Sequence, residues 1–274
     1  EVLDCWFESG SMPFAQFHYP FENKDMFNKN FPSQFVSEYI GQTRAWFYYM
    51  MVVSAILFDE IPFENVLTTG TILTEDGSKM SKSKRNFPDP WIVFEKYGVD
   101  ALRFYLLSSS VMNADNFNFS EKGVEEAYKR LILILYNVNK FYSDYRNKNK
   151  INKPNSKEIS DKWIISKLNE FIANVNEEME DYNTIKTCAS IKEFADDLST
   201  WYIRINRERF NENDKNAIET LGFVLDNFSK VIAPIMPFVA EVIYQNVNQS
   251  KNSVHLQDWP KPGKTDTGLI AQMN

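Results

Sequence analysis

A short basic stretch, Thr74–Asp89, holds the residue types best suited to chemistry on a polyanion. Asp76 and Gly77 predict a turn at its start, and Pro88 and Pro90 mark its end. Ammonium groups supply point charges, while serine hydroxyls and backbone N–H groups donate hydrogen bonds. The alternative interpretation is a solvated basic loop. The four cations of the stretch are Lys79, Lys82, Lys84 and Arg85.

A carboxylate is placed where a ligand could meet a strand and a helix. Pro32–Val36 is a candidate strand and Gly41–Leu57 a candidate apolar helix. Glu38 lies between them, and Gln42 lies at the start of the helix. Open α/β sheets bind ligands at the carboxyl ends of their strands, and helix N-termini favour anions. We therefore expect polar ligand contacts at this junction.

Two further strands and two connecting helices are expected around these residues. Val2–Phe7 is predicted as a strand followed by a loop, and Val66–Leu73 as the strand that leads into the basic stretch. Gly70 in that strand is expected to allow close approach of backbone and ligand. Pro90 suits the first turn of a helix, and Asp100 is a candidate N-cap for the next helix.

From Ser120 onward the predicted strands cease and long amphipathic helices begin. Four apolar stripes at helical spacing predict a helical bundle, joined by polar connectors such as Asn147–Ser156. The stripes begin at Ala127, Ile164, Ile185 and Ile218, and the third stripe ends at Ile205. The segment Trp201–Phe210 places Arg204, Arg207 and Arg209 near a helix end, where they could face nucleic acid or form ion pairs within the bundle, with Glu208 among the partners.

Composition limits the classes of function. The 274 residues have a net charge of −7, so any contact with RNA must be a local basic patch or depend on shape. Two cysteines without a C-x-x-C pair predict neither a disulfide framework nor a zinc site. The sequence shows neither a signal peptide nor an apolar run of transmembrane length, which predicts a cytoplasmic protein. It also starts without Met, which indicates a piece of a longer chain.

The motifs resemble those of isoleucyl-tRNA synthetases, which are class I aminoacyl-tRNA synthetases. Residues 79–83 read KMSKS, the nucleotide loop of that class. EVLDCWFESGSMPFAQ resembles the family's segment after its editing insertion. EYIGQTRAWF resembles the family's E-G-x-D-Q segment, and WYIR a motif of its anticodon-binding helices. Valyl-tRNA synthetase is the nearest alternative, and a stand-alone tRNA-binding module with a vestigial nucleotide fold is the second.

The resemblance implies roles for individual residues. Lys79 and Lys82 would neutralise charge on the departing pyrophosphate, with Lys82 as the principal catalytic cation. Glu38 would hold the aminoacyl-adenylate, while Trp46 would wall the amino-acid pocket. Further contacts are implied for Met80, Ser81, Lys82 and Ser83 with nucleotide, for Gln42 and Gly41 with substrate, and for Arg204 and Arg207 with tRNA. No metal ligands are implied in the chain.

The sequence departs from the family pattern at three positions. Tyr39 and Ala45 stand where the family has Gly, and Gly41 stands where it has Asp. The H-x-G-H motif and the editing domain are also missing from these residues. The resemblance therefore implies a piece that is inactive by itself.

The resemblance also implies a fold, α/β followed by all-α. Residues 1–118 would form the C-terminal part of a Rossmann-type catalytic domain, residues 119–260 a four-helix-type anticodon-binding bundle, and residues 261–274 a tail. The weak pattern of Thr265–Asn274 predicts that the end of this tail is frayed. The expected partners are tRNA(Ile), isoleucine and ATP with Mg²⁺, bound by a monomer.

Overall fold

The computed structural model describes residues 2–81, 83, 86–146 and 154–273, which form two compact units. The first unit contains the chain up to Lys79 together with Ser110–Asn118. The second contains Met80–Ser109 and the chain from Phe119 onward. Residues 80–109, placed with the catalytic part by the sequence, thus group with the helical part.

The first unit begins with short helices, and the predicted strand over Val2–Phe7 is wrong. The side chain of Asp4 accepts a hydrogen bond from the backbone N–H of Trp6 at 2.7 Å, which caps a helix at this point. A short apolar run is compatible with either a strand or a helix. Here the hydrogen bond from Trp6 to the Asp4 side chain favours the helix. The helices are α1 (Cys5–Gly10), α2 (Met12–Ala15) and α3 (Lys24–Asn30).

The next strand and helix both start later than predicted. Strand β1 covers Val36–Tyr39, beginning where the predicted strand Pro32–Val36 ends. A 3₁₀ helix, Ile40–Arg44, follows it directly. Helix α4 then covers Trp46–Phe58, so the predicted helix from Gly41 is divided into two segments.

Two small parallel sheets complete the first unit, and the strand predicted over Val66–Leu73 is in fact two strands. These are β2 (Val66–Thr69) and β3 (Ile72–Leu73). Strand β2 pairs with β1 in a register that sets Glu38 opposite Thr68. Strand β3 pairs instead with β4 (Phe117–Asn118).

Gly70 explains the break between β2 and β3. Its backbone N–H donates to the carbonyl of Val111 at 2.7 Å, and a Cβ at position 70 would lie 1.7 Å from the carbonyl oxygen of Asp115. Glycine is needed here because another stretch of backbone crosses it. The close approach predicted at Gly70 therefore exists, but its partner is Asp115 and not a ligand.

The first unit has a small core behind β1. Val36, Phe47 and Met50 are buried there, and Trp46 and Phe63 pack against them. Phe47 is only 5% exposed, so it is a core residue of this unit. The burial fixes α4 against the sheet, which sets the position of the segment between Tyr39 and Trp46.

The second unit starts with two helices that follow the sequence signals in part. Asp89 accepts a hydrogen bond from the N–H of Trp91 at 3.0 Å, and Pro90 occupies the first turn of the helix as predicted. Gly98, with φ of 80°, ends the helix. Asp100 does not cap the following helix, because that helix begins before it and its carboxylate bonds elsewhere. The helices are α5 (Pro90–Tyr97) and α6 (Val99–Leu107).

Helices from residue 121 onward form the predicted bundle. Their apolar stripes meet in one core that includes Leu135, Ile164, Ile191 and Phe228. Helix α13, which the sequence analysis did not identify, packs against α12 and α8. The helices are α7 (Glu121–Ala127), α8 (Leu133–Tyr145), α9 (Ile159–Glu180), α10 (Thr184–Asp196), α11 (Arg207–Asn211), α12 (Lys215–Ile232), α13 (Pro237–Asn248) and α14 (Thr267–Met273).

Two details of the bundle differ from the pattern. The third stripe passes through a π-helical turn, Asp197–Ile203, whose wider turn keeps Leu198 and Tyr202 buried but leaves Ile205 47% exposed. The tail expected to be frayed forms α14, which packs on α9 through buried Ile270.

Candidate functional site

The carboxyl end of β1 presents the acid predicted from the sequence. Glu38 is exposed, and its Oε1 accepts a hydrogen bond from the backbone N–H of Tyr39 at 2.9 Å. Parallel pairing with β2 aligns the carboxyl ends of both strands at one edge. This is the edge at which parallel sheets bind ligands.

Gln42 and Trp46 connect this edge to α4. The Oε1 of Gln42 accepts a hydrogen bond from the N–H of Trp46 at 3.1 Å, which satisfies a free donor at the start of the helix. The indole Nε1 of Trp46 donates to the carbonyl of Ser9 at 3.1 Å. Trp46 is half-buried, so part of its ring is anchored to α1 and part remains accessible. Both residues thus hold the 3₁₀ segment in place beside Glu38.

Gly41 lies under the ring of Tyr39, the residue after Glu38. In the sequence, Tyr39 and Gly41 are two separate departures from the family pattern. Their contact was not predictable, because it depends on the direction of one tyrosine side chain.

The basic stretch begins with a well-ordered turn. The Thr74 hydroxyl donates to Asp76 Oδ1, and the N–H of Ser78 donates to the same oxygen at 3.1 Å. The hydrogen bond from Thr74, followed by those from Ser78, lowers the pKa of Asp76 to about 2. Gly77 takes a φ of 81°, as the Asp-Gly turn signal requires.

Lys79 directly follows this turn. A single antiparallel bridge joins it to Leu73 at the end of β3, and its side chain is exposed. The strand and the turn therefore fix the backbone of the first predicted catalytic cation in the first unit.

The rest of the KMSKS segment belongs to the second unit. The N–H of Ser81 donates to Asn86 Oδ1 at 2.8 Å, and the hydroxyls of Ser81 and Ser83 lie 2.8 Å apart. Met80 and Ser81 are half-buried, and Ser83 is exposed. The predicted catalytic cation Lys82 lies outside the described residues, as do Lys84 and Arg85, two further cations of the basic stretch.

The arginines of Trp201–Phe210 separate into two kinds. Arg209 is an ion-pairing residue, but its partners are Asp161 and Asp214 and not the expected Glu208. Arg204 and Arg207 are exposed, and their side chains form no hydrogen bond or ion pair with the described residues. The pair left available for an anionic partner is therefore the pair predicted to bind tRNA.

Asp161, which the sequence analysis did not identify, is the centre of the Arg209 network. Its side chain is fully buried and accepts hydrogen bonds from Arg209 at 2.9 and 2.8 Å and from the Tyr202 hydroxyl at 2.7 Å. The hydrogen bonds to Asp161, and then those to Asp214, raise the pKa of Arg209 despite its partial burial. Burial, reinforced by the Asp161 carboxylate, raises the pKa of Tyr202 well above its ordinary value, so the phenol stays a donor.

Metal ions and membranes have no recognisable site in the described part of the chain. Its histidines, cysteines and carboxylates form no group of three that could hold a metal ion. Across the same residues, each helix is too short or too polar to span a bilayer.

Two family models match the chain. The model "tRNA synthetases class I (I, L, M and V)" covers residues 1–118. The model "Anticodon-binding domain of tRNA ligase" covers residues 161–274. Together they match both the sheet-containing part of the chain and most of the helical bundle.

Relatives similar to the chain over nearly its whole length are isoleucine–tRNA ligases. That of Protochlamydia amoebophila is 44% identical over 95% of this chain, and that of Treponema denticola is 42% identical over 95%. That of Nocardia farcinica is 42% identical over 100%. The chain spans 26% of the length of each of these relatives.

Solved structures confirm the predicted fold, a Rossmann-type half joined to a helical anticodon-binding domain. The LeuRS of Agrobacterium radiobacter K84, in a ternary complex with tRNA and LeuAMS, aligns with a TM-score of 0.77. The alignment covers 98% of this chain and 34% of that one at 19% identity. The methionyl-tRNA synthetase of Mycobacterium tuberculosis, in complex with methionyl-adenylate, has a TM-score of 0.67 and 18% identity, covering 84% of this chain and 47% of that one.

Proposed function

We propose that this chain is part of an isoleucine–tRNA ligase, to which it contributes the C-terminal part of the class I catalytic domain and the anticodon-binding bundle. The observation that carries the proposal is identity of 42–44% to isoleucine–tRNA ligases over 95–100% of the chain. The placement of Glu38, Gln42 and Trp46 at one strand edge supports it chemically.

The proposed reaction has two group transfers. A carboxylate oxygen of isoleucine attacks the α-phosphorus of ATP, the bond to the bridging oxygen of pyrophosphate breaks, and pyrophosphate leaves with that electron pair. A hydroxyl at the 3′ end of tRNA(Ile) then attacks the acyl carbon, loses its proton, and displaces AMP. Mg²⁺ accompanies ATP as part of that substrate.

The chain's own residues would act mainly by positioning and by neutralising charge. Lys79 and Lys82 would neutralise the negative charge that develops on the departing pyrophosphate. Met80, Ser81 and Ser83 would contact and position the nucleotide. The hydrogen-bonded turn before Lys79 and the bridge to Leu73 support this role, because a cation on a fixed backbone needs little rearrangement when charge develops.

The substrate side of the site would be formed at the carboxyl end of β1. The Glu38 carboxylate is an acceptor suited to an ammonium or hydroxyl group of the aminoacyl-adenylate, and the accessible part of Trp46 would wall the amino-acid pocket. Gln42 is already engaged by the helix start, so its amide N–H₂ group is the part left to contact substrate. The backbone of Gly41 would lie beside them.

The helical bundle would bind tRNA(Ile) through Arg204 and Arg207. Both are exposed, while Arg209 is committed to Asp161 and Asp214. Cytoplasmic location and a monomeric state are part of the same proposal.

A chimeric enzyme tests the proposal. In the isoleucine–tRNA ligase of Protochlamydia amoebophila, the matching quarter would be replaced by this chain, and isoleucine-dependent ATP–pyrophosphate exchange would be measured. We expect exchange and charging of tRNA(Ile). In a matched chimera, Lys82→Ala should lower the exchange rate by about 10²–10³ and leave the KM for isoleucine nearly unchanged, as for loss of one preorganised donor. A folded chimera that activates methionine or leucine in place of isoleucine would overturn the proposal.

A further inference from the structure

Tyr39 and Gly41 form a packed pair at the carboxyl end of β1. A Cβ built on Gly41 would lie 2.3 Å from Cζ of Tyr39 and 2.4 Å from its hydroxyl oxygen. The tyrosine ring therefore rests directly on the Gly41 backbone. Any side chain at position 41 would displace the ring.

The need for glycine at this position comes from the ring and not from the backbone. The described glycines with positive φ are Gly77 and Gly98, so Gly41 adopts a conformation open to other residues. Alanine at position 41 would thus be free of backbone strain, and its cost would report the contact with Tyr39 alone.

The ring is also accessible, which a purely structural packing residue need not be. Tyr39 is 46% exposed, and its backbone N–H is held by the Glu38 carboxylate at 2.9 Å. The hydroxyl end of the ring (Cζ, Cε2 and Oη) packs against Gly41, and about half of the residue remains exposed beside the proposed adenylate acid. A phenol combines a flat apolar face with a hydroxyl, a combination that suits an aromatic or sugar-containing ligand.

We propose that Tyr39 is a further binding residue of this site, whose ring, held over Gly41, forms a surface on which the aminoacyl-adenylate lies. The inference rests on the proposed function and adds to it a residue and a reason for Gly41. The two departures from the family pattern at positions 39 and 41 then form one unit, since the large residue at one position requires the small residue at the other.

A double-mutant cycle tests the pair in the complete enzyme. The affinity for a non-hydrolysable isoleucyl-adenylate analogue would be measured by calorimetry for Tyr39→Ala, Gly41→Ala and the double variant. We expect each single substitution to weaken binding about tenfold, and the double variant to lose about tenfold and not a hundredfold. Tyr39→Phe keeps the ring and should bind within about threefold of wild type. Tyr48→Ala, at an exposed tyrosine of α4, is the matched control and should have no effect.

The outcomes separate this inference from the proposed function. If the wild-type enzyme binds the analogue and Tyr39→Ala binds it with the same Kd, the role of Tyr39 is overturned and the proposed function stays intact. Fully multiplicative losses in the double variant would overturn the coupling of the pair. Absence of binding by the wild-type enzyme would remove the proposed function, and the inference with it. Melting temperatures identify unfolded variants; if Tyr39→Ala is unfolded, Tyr39→Leu replaces it, because leucine keeps apolar bulk without a flat ring.

Discussion

The carboxylate of Asp100 on α6 accepts a hydrogen bond from the backbone N–H of Val239 on α13, at 2.6 Å and 139 residues along the chain. It thereby satisfies the first turn of a helix whose N-cap, Met236, has no side-chain oxygen. One turn after Asp100, Arg103 donates to the carbonyls of Pro234 and Ile235 at 2.9 and 3.0 Å. Asp100 accepts a hydrogen bond from this distant turn and Arg103 donates two to it, so both residues have a structural role.

Removing this cap should destabilise the second unit. We expect Asp100→Ala to lower the free energy of unfolding by about 1–3 kcal/mol, since it leaves a buried backbone donor without a partner. Asp100→Asn keeps an acceptor and should cost less. Urea unfolding of both variants measures the difference, and equal losses would contradict a capping role.

The same carboxylate predicts a pH dependence. Burial raises the pKa of Asp100 above its ordinary value of 3.8, although hydrogen bonds from Val239 and Phe238 oppose this. The folded state then holds its proton more tightly than the unfolded state, so the contribution of Asp100 to stability is greatest below pH 3.8 and falls as pH rises through the raised pKa. The stability of wild type relative to Asp100→Asn should therefore increase as pH is lowered from 7 toward 4. A difference that is constant with pH would contradict this assignment.

Replacement by methionine should strongly destabilise the protein at Arg209 and leave its stability almost unchanged at Arg207, two residues away. Arg209→Met leaves the fully buried Asp161 without its charge partner, and loss of one member of such a pair costs about 3–5 kcal/mol. Arg207→Met, at an exposed position, should change stability by less than about 0.5 kcal/mol. Thermal and urea unfolding measure both. Similar values for the two variants would show that the network is not needed for stability.

Charge reversal at Arg204 and Arg207 should weaken tRNA binding without loss of stability. If both arginines contact phosphates, the double Glu variant should flatten the dependence of log Kd on log salt by about one per lost contact. The matched control is Lys140→Glu with Lys192→Glu, which changes the net charge equally at two other exposed positions. An unchanged salt slope in the arginine variant, or an equal change in the control, would remove the tRNA role from this patch.

The turn before Lys79 provides a local test by NMR. The Asp76 carboxyl should titrate with a pKa of about 2, and Thr74→Val should move that pKa toward the ordinary 3.8, because the hydrogen bond from Thr74 is the largest cause. The carboxylate stabilises the turn above pH 3.8, and this contribution is lost as pH falls through about 2. A pKa near 3.8 in the wild type would show that the turn is not formed in solution.

Much of the helical part was predictable from the sequence, because long amphipathic stripes report burial directly. Leu135, Ile164, Ile191 and Phe228 are buried as their spacing indicated. Ile205 was not, since a π-helical turn upstream changes the face on which later residues lie. Local pattern does not carry that information.

The strands and the candidate site were less predictable, because long-range contacts decide them. In the sequence, Gly70 indicates only that another group could approach the backbone closely. The coordinates show that this group is the backbone of Asp115, which explains why β2 ends there. Asp100 reads as a cap for its own helix, yet its partner lies on α13. At the site, the order of Glu38, Gln42 and Trp46 could be assigned by resemblance, whereas the contact of Tyr39 with Gly41 required coordinates.

The pairing of β3 with β4 has a consequence for how the protein is made. The chain leaves the first unit after Lys79 and returns to it only at Ser110, after α5 and α6. On the ribosome, which releases the N-terminal residues first, Ile72 and Leu73 must wait for Phe117 and Asn118 before their ladder can form. A nascent chain that has emerged only to Lys79 therefore lacks a strand of its own unit. The first unit can therefore finish folding during translation only after residue 118 has left the ribosome.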